Sequence, residues 1–584
     1  MRKSYWIGLF VTLLLGGCSE DEGLNSGNSG NLPQDGQAYL TVRIADAGAN
    51  TKAEDDFKNG SETEHTVSDA RFFFYDEEGN YVTEASVWNG GQAVTPDGNI
   101  EFNGNTVIVL RGLTANDYPD YMVTVLNAPT AFQPANTLTG MQTALSGGIY
   151  KGGATGNFIM STTSYVRTDG TPYYVTKLAT TDFHAEPIPS TTTGITPVKV
   201  YVERLAAKVS LEVASALSQQ AENGRYKLKV TVAGSDNNDG IPAAGATDIY
   251  IEFLGWGLNA TAKNSYMMKN IDPAWTAEAT GLGFSWTDPT NFRSYWGKSY
   301  NYNDAATGYP ESAGDATVTT RKLNYISGNS ISTTLATPAY CAENTFGADV
   351  AKKASARTSI LLKAKICDKD GTGLDMVRYN GMLFKQDYYL SYVLNALKSS
   401  LNAWILKSGT AGGADATYAQ IDKSHVELVN IVDGKVKVQL KKKESDTGNS
   451  VETAEQLYKR SGTEGSYTYT AFTEQEITDL DNTLAGFNTN NPAIGYTGGQ
   501  MYYNIPIEHL RAFETNQTDP KEGNYGVVRN HHYVVTINKL ENVGKGIFDP
   551  DEAIVPGGDE GTAYYVGASI HILSWKIVEK EVEL

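Results

Sequence analysis

Val426-Glu427-Leu428-Val429-Asn430-Ile431-Val432, Asp433-Gly434, Lys435-Val436-Lys437-Val438-Gln439-Leu440 is the stretch whose reading decides the fold. Two runs of alternating apolar and polar residues flank an Asp-Gly pair, the strongest short-range signal for a β-hairpin. Working outward, the same period of two recurs. In Ala38-Tyr39-Leu40-Thr41-Val42-Arg43-Ile44 the residues Leu40, Val42 and Ile44 share one face. Arg71-Phe72-Phe73-Phe74-Tyr75, the turn residues 76–80 and Tyr81-Val82 form a second hairpin, and 106–110 and 121–126 are further strands. Helical spacing is confined to Asp387 to Trp404 and to Glu474 to Leu484. Many short strands with few short helices predict a mainly β protein of sandwich architecture. The Pro/Thr-rich segment Pro187 to Pro197 reads as a boundary between domains.

The N-terminus has a basic flank at Arg2 and Lys3, a short apolar run from Tyr5 to Leu15, and then Gly16-Gly17-Cys18. That is the layout of a bacterial export signal, and the run is too short to serve as a permanent membrane span. Small residues before a cysteine are what lipoprotein signal peptidase requires. Cleavage is therefore expected between Gly17 and Cys18, with the Cys18 thiol carrying the lipid that holds the precursor on a membrane. Ser19-Glu20-Asp21-Glu22 and the Gly/Asn/Ser-rich residues that follow cannot bury apolar surface and predict a flexible tether over 18–38. The acidic cluster resembles the surface-export signal of Bacteroidetes lipoproteins, which implies the cell exterior.

A net charge of -20 and a pI near 4.9 argue against nucleic acid or an anionic lipid surface as partner. Beyond Cys18 the cysteines are Cys341 and Cys367. Export permits a disulfide between them, and two buried free thiols are equally compatible with the sequence. Catalytic signatures are absent from the sequence, so no enzyme and no cofactor is expected. Gly297-Lys298-Ser299 is a fragment of a phosphate loop, with Phe292 where the leading glycine belongs. Asp368-Lys369-Asp370-Gly371 begins like a calcium loop, but Tyr379 stands where the closing Glu is needed, so a plain turn is the better reading. His531 and His532 are adjacent in a strand and point to opposite faces, which makes one shared metal site a poor reading.

Several segments in order, Val202-Glu203-Arg204-Leu205-Ala206-Ala207-Lys208-Val209, Phe253 to Leu258 with Ser265 to Lys269, Tyr340 to Thr345, Tyr502 to Leu510, Val528 to Ile537 and Ile572 to Leu584, resemble the Bacteroidetes fimbrilin superfamily. Within it the likeness is to the major subunit of the short (minor) fimbriae, and it spans nearly the whole chain. The resemblance implies two transthyretin-like β-sandwich domains and a type V pilus assembled by donor-strand exchange. It divides the chain into a signal peptide 1–17, a tether 18–38, an N-terminal domain 39–195 with its first strand at 38–45 and a cleavage loop at 46–58, and a C-terminal domain 196–584.

In that scheme a trypsin-like surface protease cuts after the first strand, which leaves, and the C-terminal segment of another subunit replaces it. The family's usual Arg is replaced here by Lys52, so the expected cut lies between Lys52 and Ala53 and requires a protease that accepts Lys. The exchanged strand would contribute Leu40, Val42 and Ile44, each worth about 1.5–3 kcal/mol if fully buried. The donor near 570–584 would contribute Leu573, Trp575, Ile577, Val578, Val582 and Leu584. The edge left behind would have unpaired backbone groups ready to accept it. Expected partners are copies of the chain itself, accessory, tip and anchor fimbrilins, the protease, and the outer membrane through the lipid before maturation. An accessory, tip or anchor role is the alternative within assembly. A surface glycan-binding lipoprotein is the alternative outside it, because 35 Tyr and 8 Trp could stack on sugars.

Overall fold

The computed structural model describes residues 38–46, 64, 66–88, 106–113, 118–145, 150–152, 157–162, 165–166, 172–173, 175–185, 197–233, 244–272, 296–443, 453–509, 520–557, 566–574 and 577–578. The protein is mainly β, with several sheets and short helices. The N-terminal sheet contains β1 (Ala38–Asp46), β2 (Asp69–Tyr75), β3 (Tyr81–Trp88), β4 (Thr106–Leu110), β5 (Tyr121–Leu126), β6 (Met160–Thr162), β7 (Phe183–His184) and β8 (Val198–Arg204). Their spatial order is β7-β1-β8-β6-β5-β2-β3, with β4 also paired to β1. Phe72 and Phe74 of β2 bury on one face with Leu40, Val42 and Met122, while Phe73 and Tyr75 bury on the other with Val123 and Val125. A strand buried on both faces explains the unbroken aromatic run at 72–75, which alternation alone would not produce.

Leu205 is the point where the chain changes sheet. Arg204 ends β8, and Ala206 begins β9 (Ala206–Val213) in a separate five-stranded sheet. The Pro/Thr-rich segment precedes β8, so β8 stays with the N-terminal sheet although it follows that segment. The strand's assignment is decided by parallel pairing to β1, more than 150 residues earlier, which composition cannot reveal.

Onward come β10 (Arg225–Ala233), β11 (Ala244–Asn259), β12 (Ala339–Ala342), β13 (Ser359–Cys367), β14 (Met376–Tyr379), β15 (Met382–Lys385) and helix α1 (Gln386–Ala396). Next are β16 (Trp404–Ser408), β17 (Thr417–Gln420), β18 (Val426–Val432), β19 (Lys435–Leu440), β20 (Leu457–Ser461), β21 (Thr468–Ala471) and helix α2 (Glu474–Gly486). The chain closes with β22 (Ala493–Tyr496), β23 (Gln500–Pro506), β24 (His531–Leu540), β25 (Lys545–Gly546), β26 (Val566–Ser574) and β27 (Ile577–Val578). The five-stranded sheet runs β12-β9-β24-β26-β27, and an eleven-stranded sheet runs β18-β19-β22-β14-β15-β10-β11-β13-β23-β25 with one further short strand on β10. These two sheets enclose the largest core: Val209, Leu211, Tyr533 and Val535 from one meet Ile251, Leu362, Ile366 and Tyr503 from the other.

The 426–440 hairpin forms as read, with Val426 opposite Leu440 and Leu428 opposite Val438. Asp433 (φ 56°) and Gly434 (φ 72°) supply the left-handed turn. A register shift between Asn430 and Val432 leaves Ile431 exposed. α2 starts with a capping box in which Glu476 accepts from the Thr473 N–H at 2.9 Å. The helical spacing read to Trp404 ends earlier: α1 stops at Ala396, the Leu397–Ser400 turn follows, and Trp404 opens strand β16. Cys341 and Cys367 lie in different sheets as buried free thiols.

Candidate functional site

β1 occupies an interior slot. Along one edge it pairs antiparallel with β4, from Ala38 opposite Leu110 to Val42 opposite Thr106. Along the other it pairs first with β7 (Tyr39–His184, Leu40–Phe183) and then in parallel with β8, from Val42–Val198 to Asp46–Val202. Ala38, Leu40 and Val42 are fully buried among Ile108, Leu110, Phe72, Val200 and Phe183. Ile44 is in register with Val200. Withdrawing β1 would strip three side chains from the core and leave the edges of β4 and β8 without partners, a lesion that another extended segment could repair.

The other end of the chain sits on an edge. β26 pairs antiparallel with β24, bringing Leu573 opposite His532, and β27 folds back so that Ile577 meets Leu573 and Val578 meets Ile572. Gly17, Cys18, Lys52, Ala53, Trp575, Val582 and Leu584 lie outside the described residues.

Between slot and edge is a polar junction that the sequence reading did not anticipate as a unit. Glu64, the next described residue after β1, is buried. Its carboxylate accepts from the Lys208 ammonium at 2.8 Å and from the Tyr340 hydroxyl, and its carbonyl accepts from Arg204 Nε at 2.7 Å. Burial first, and then the Glu64 carboxylate, push the Tyr340 phenol far above its ordinary range. Arg204 also donates to Asn530 at 3.3 Å. Arg529, fully buried, pairs with Glu343 at 3.1 Å and donates to the Met267 and Tyr266 carbonyls at 3.2 and 2.8 Å. Lys269 and Glu203 form a further buried pair at 3.6 Å, and Ser161 donates to the Met267 carbonyl at 2.6 Å.

Four of the segments quoted for the family resemblance supply this junction: 202–209, 265–269, 340–345 and 528–537. Residues with no sequence proximity thus meet at one place, and buried charges of this kind cost several kcal/mol each to desolvate unless fully paired. The signal in the sequence was Glu203-Arg204 at the end of one strand and Arg529-Asn530 in the turn just before another.

The motifs weighed for other chemistry have structural roles. Lys298 is ion-paired to Asp272 at 2.6 Å, and Ser299 is buried against Thr345. Asp368 accepts from the N–H groups of Asp370 and Thr372 at 2.9 Å each, and those backbone donors hold its carboxyl below the usual range. His531 points inward to the Arg529 carbonyl, and His532 bonds Ser210 at 2.8 Å. Among the described residues no group of three His, Cys, Asp or Glu side chains could hold a metal ion, and no helix is long and apolar enough to cross a membrane.

Residues 495–581, which run from the end of β22 to just past β27, match the family model described as major fimbrial subunit protein type IV, fimbrillin, C-terminal. Over that stretch the chain is similar to the fimbrillin C-terminal family. No curated protein matches it. Among solved structures it overlaps a candidate cell adhesion protein from Parabacteroides distasonis at 11% identity, covering 93% of this chain and 98% of that one with a TM-score of 0.35. A fimbrilin from Porphyromonas gingivalis overlaps at 12% identity, 92% and 98% coverage and a TM-score of 0.34. The tip fimbrial protein Mfa3 from Porphyromonas gingivalis overlaps at 10% identity, 92% and 100% coverage and a TM-score of 0.30. Overlaps this loose carry no argument about function; the fimbrillin segment does. It supports the fimbrilin resemblance and a subunit of a cell-surface fimbria.

Proposed function

We propose that the chain is the major, stalk-forming subunit of its fimbria, exported as a lipoprotein through Cys18 and matured by cleavage between Lys52 and Ala53. In this reading the chain has two transthyretin-like domains, one on either side of Leu205. The lipid-bearing segment with β1 leaves the slot between β4 and β8, and the C-terminal segment of a second copy enters it. The observation that carries the reading is the position of β1. A first strand with three fully buried side chains, bonded along both edges, is the plug of an otherwise open groove. β27 lies at the edge of its sheet, and in this reading it is where the C-terminal segment departs for the next copy. Copies of the chain, a Lys-accepting trypsin-like protease, and accessory, tip and anchor fimbrilins are its partners.

Trypsin treatment of the purified precursor tests this directly. The expected products are a new N-terminus at Ala53 and a heat-sensitive ladder of high-mass species on electrophoresis. Removing Ile577 to Leu584 should leave folded, cleavable monomers that form no ladder. Clean cleavage at Lys52 without polymer, or normal ladders from the truncated chain, would overturn the stalk assignment.

A further inference from the structure

The small sheet β17-β16-β20-β21 stands apart from the two large ones and has unlike faces. Register fixes which side chains share each face: Trp404 is opposite Tyr458 and Gln420, Leu406 is opposite Tyr418, and Arg460 is opposite Tyr469. Ile405 and Leu457 alternate to the inner face and are buried with α1 and α2 in the second core. Lys459, also inner, is bound by Glu476 at 2.5 Å. The outer face is left with Trp404, Tyr418, Tyr458, Arg460 and Tyr469, joined by the exposed Tyr467 from the turn. None of these six belongs to a core cluster among the described residues.

Their geometry is fixed. Tyr418 and Tyr469, from the two outer strands, stack over the central pair at 3.8 Å and 8°. Trp404 packs edge-on to Tyr469 at 5.7 Å. Asn402 locks the centre: its side-chain oxygen accepts from the Trp404 indole N–H at 3.1 Å and the Arg460 backbone N–H at 3.0 Å, and its amide donates to the Arg460 carbonyl at 2.8 Å. The Arg460 guanidinium lies 4.1 Å from the centroids of both the Trp404 and the Tyr467 ring. Aromatic rings hold a cation in place without neutralising it. Among the described residues no carboxylate pairs with Arg460, so its N–H fork is left for an outside acceptor, on a chain whose net charge is -20.

We propose that this face is a docking site for a carboxylated sugar: the ring surfaces take the C–H face of the pyranose, and Arg460 takes the carboxylate. Charge selects that occupant over a neutral glycan, since a guanidinium binds a carboxylate through two parallel hydrogen bonds. The rings select it over an acidic peptide, which has no flat C–H face to lay on them. The site is independent of strand exchange and is present in the unpolymerised precursor.

Titration of the full-length precursor with 3′-sialyllactose, lactose and hexaglutamate, followed by calorimetry and saturation-transfer NMR, tests the assignment. Sialyllactose should bind about tenfold or more tightly than either of the others, and its affinity should fall with added salt. Arg460→Gln should erase the preference over lactose, and Tyr467→Ala, at an exposed ring, should weaken both sugars with the fold intact by circular dichroism. No sialyllactose binding, equal binding of hexaglutamate, or an unchanged preference in Arg460→Gln would each overturn the proposal.

Discussion

Glu343 and Arg529 show what single residues decide here. Both are buried, and the guanidinium spends three of its donors inside the protein. Glu343→Ala would leave that charge without its counter-ion, which typically costs about 3–5 kcal/mol. The expected readout is a lowered midpoint of urea unfolding, with much of the loss recovered when Arg529→Met is added. A double variant no more stable than the single one would show that Arg529 does not depend on Glu343. The thiols make a second prediction. Burial pushes Cys341 up to about 12, and Cys367 is also raised, chiefly by burial. The thiolate is the reactive form, so neither should be alkylated by iodoacetamide at pH 8 in the native chain, and both should react once urea unfolds it. Rapid labelling of native protein would contradict the placement of either residue. At this scale the sequence left the most open. The charged residues are visible in it, but the partner of Glu64 is Lys208, the partner of Glu343 is Arg529, and no local pattern encodes separations of that size.

Elements were more legible, because period and turn chemistry are local. The 426–440 hairpin, the first strand and helix α2 follow directly from an Asp-Gly pair, alternation and helical spacing from Glu474 to Leu484. What failed was the end of α1, where apolar spacing continued past the Leu397–Ser400 turn into a strand whose inward residue is Ile405. Periodicity cannot separate a helix followed by a buried strand from one longer helix when both contribute apolar residues. Two predictions belong here. Leu40→Ala removes a fully buried side chain from β1 and should cost about 2–5 kcal/mol, read as a shift in the unfolding midpoint of the uncleaved precursor. After cleavage and loss of β1 the same substitution should have no effect on stability. Gly434 has φ +72° and stands so close to the Gly546 carbonyl that a Cβ would lie 2.5 Å from its oxygen. Gly434→Ala should therefore lower stability by more than the ~1 kcal/mol of backbone strain alone, whereas an alanine tolerated there would mean that the hairpin turn can move away from β25.

For the molecule as a whole, the mainly β class was readable from strand density, but the sheet partners were not: β1 lies beside β8, and β9 lies in parallel beside β24, more than 300 residues later. The junction ties these distant pairings together through Glu64. Glu64→Gln keeps the shape and removes the charge that faces Lys208. The expected outcome in calorimetry is one transition for the native chain and, for the variant, melting of the N-terminal sheet ahead of the C-terminal sheets; a variant with the same single transition would make Glu64 peripheral. The continuity of β8 and β9 through the single residue Leu205 has a mechanical consequence. In a fibre joined by strands seated in the β1 slot, tension would pass from the seated strand to β8, along the covalent chain into β9, sideways to β24 and out through β26. Lys208 lies opposite His532 and Ser574 opposite His531, so the load would enter β9 and leave β26 at the same end of β24, and the hydrogen bonds between them would be opened in turn from that end rather than loaded together in shear.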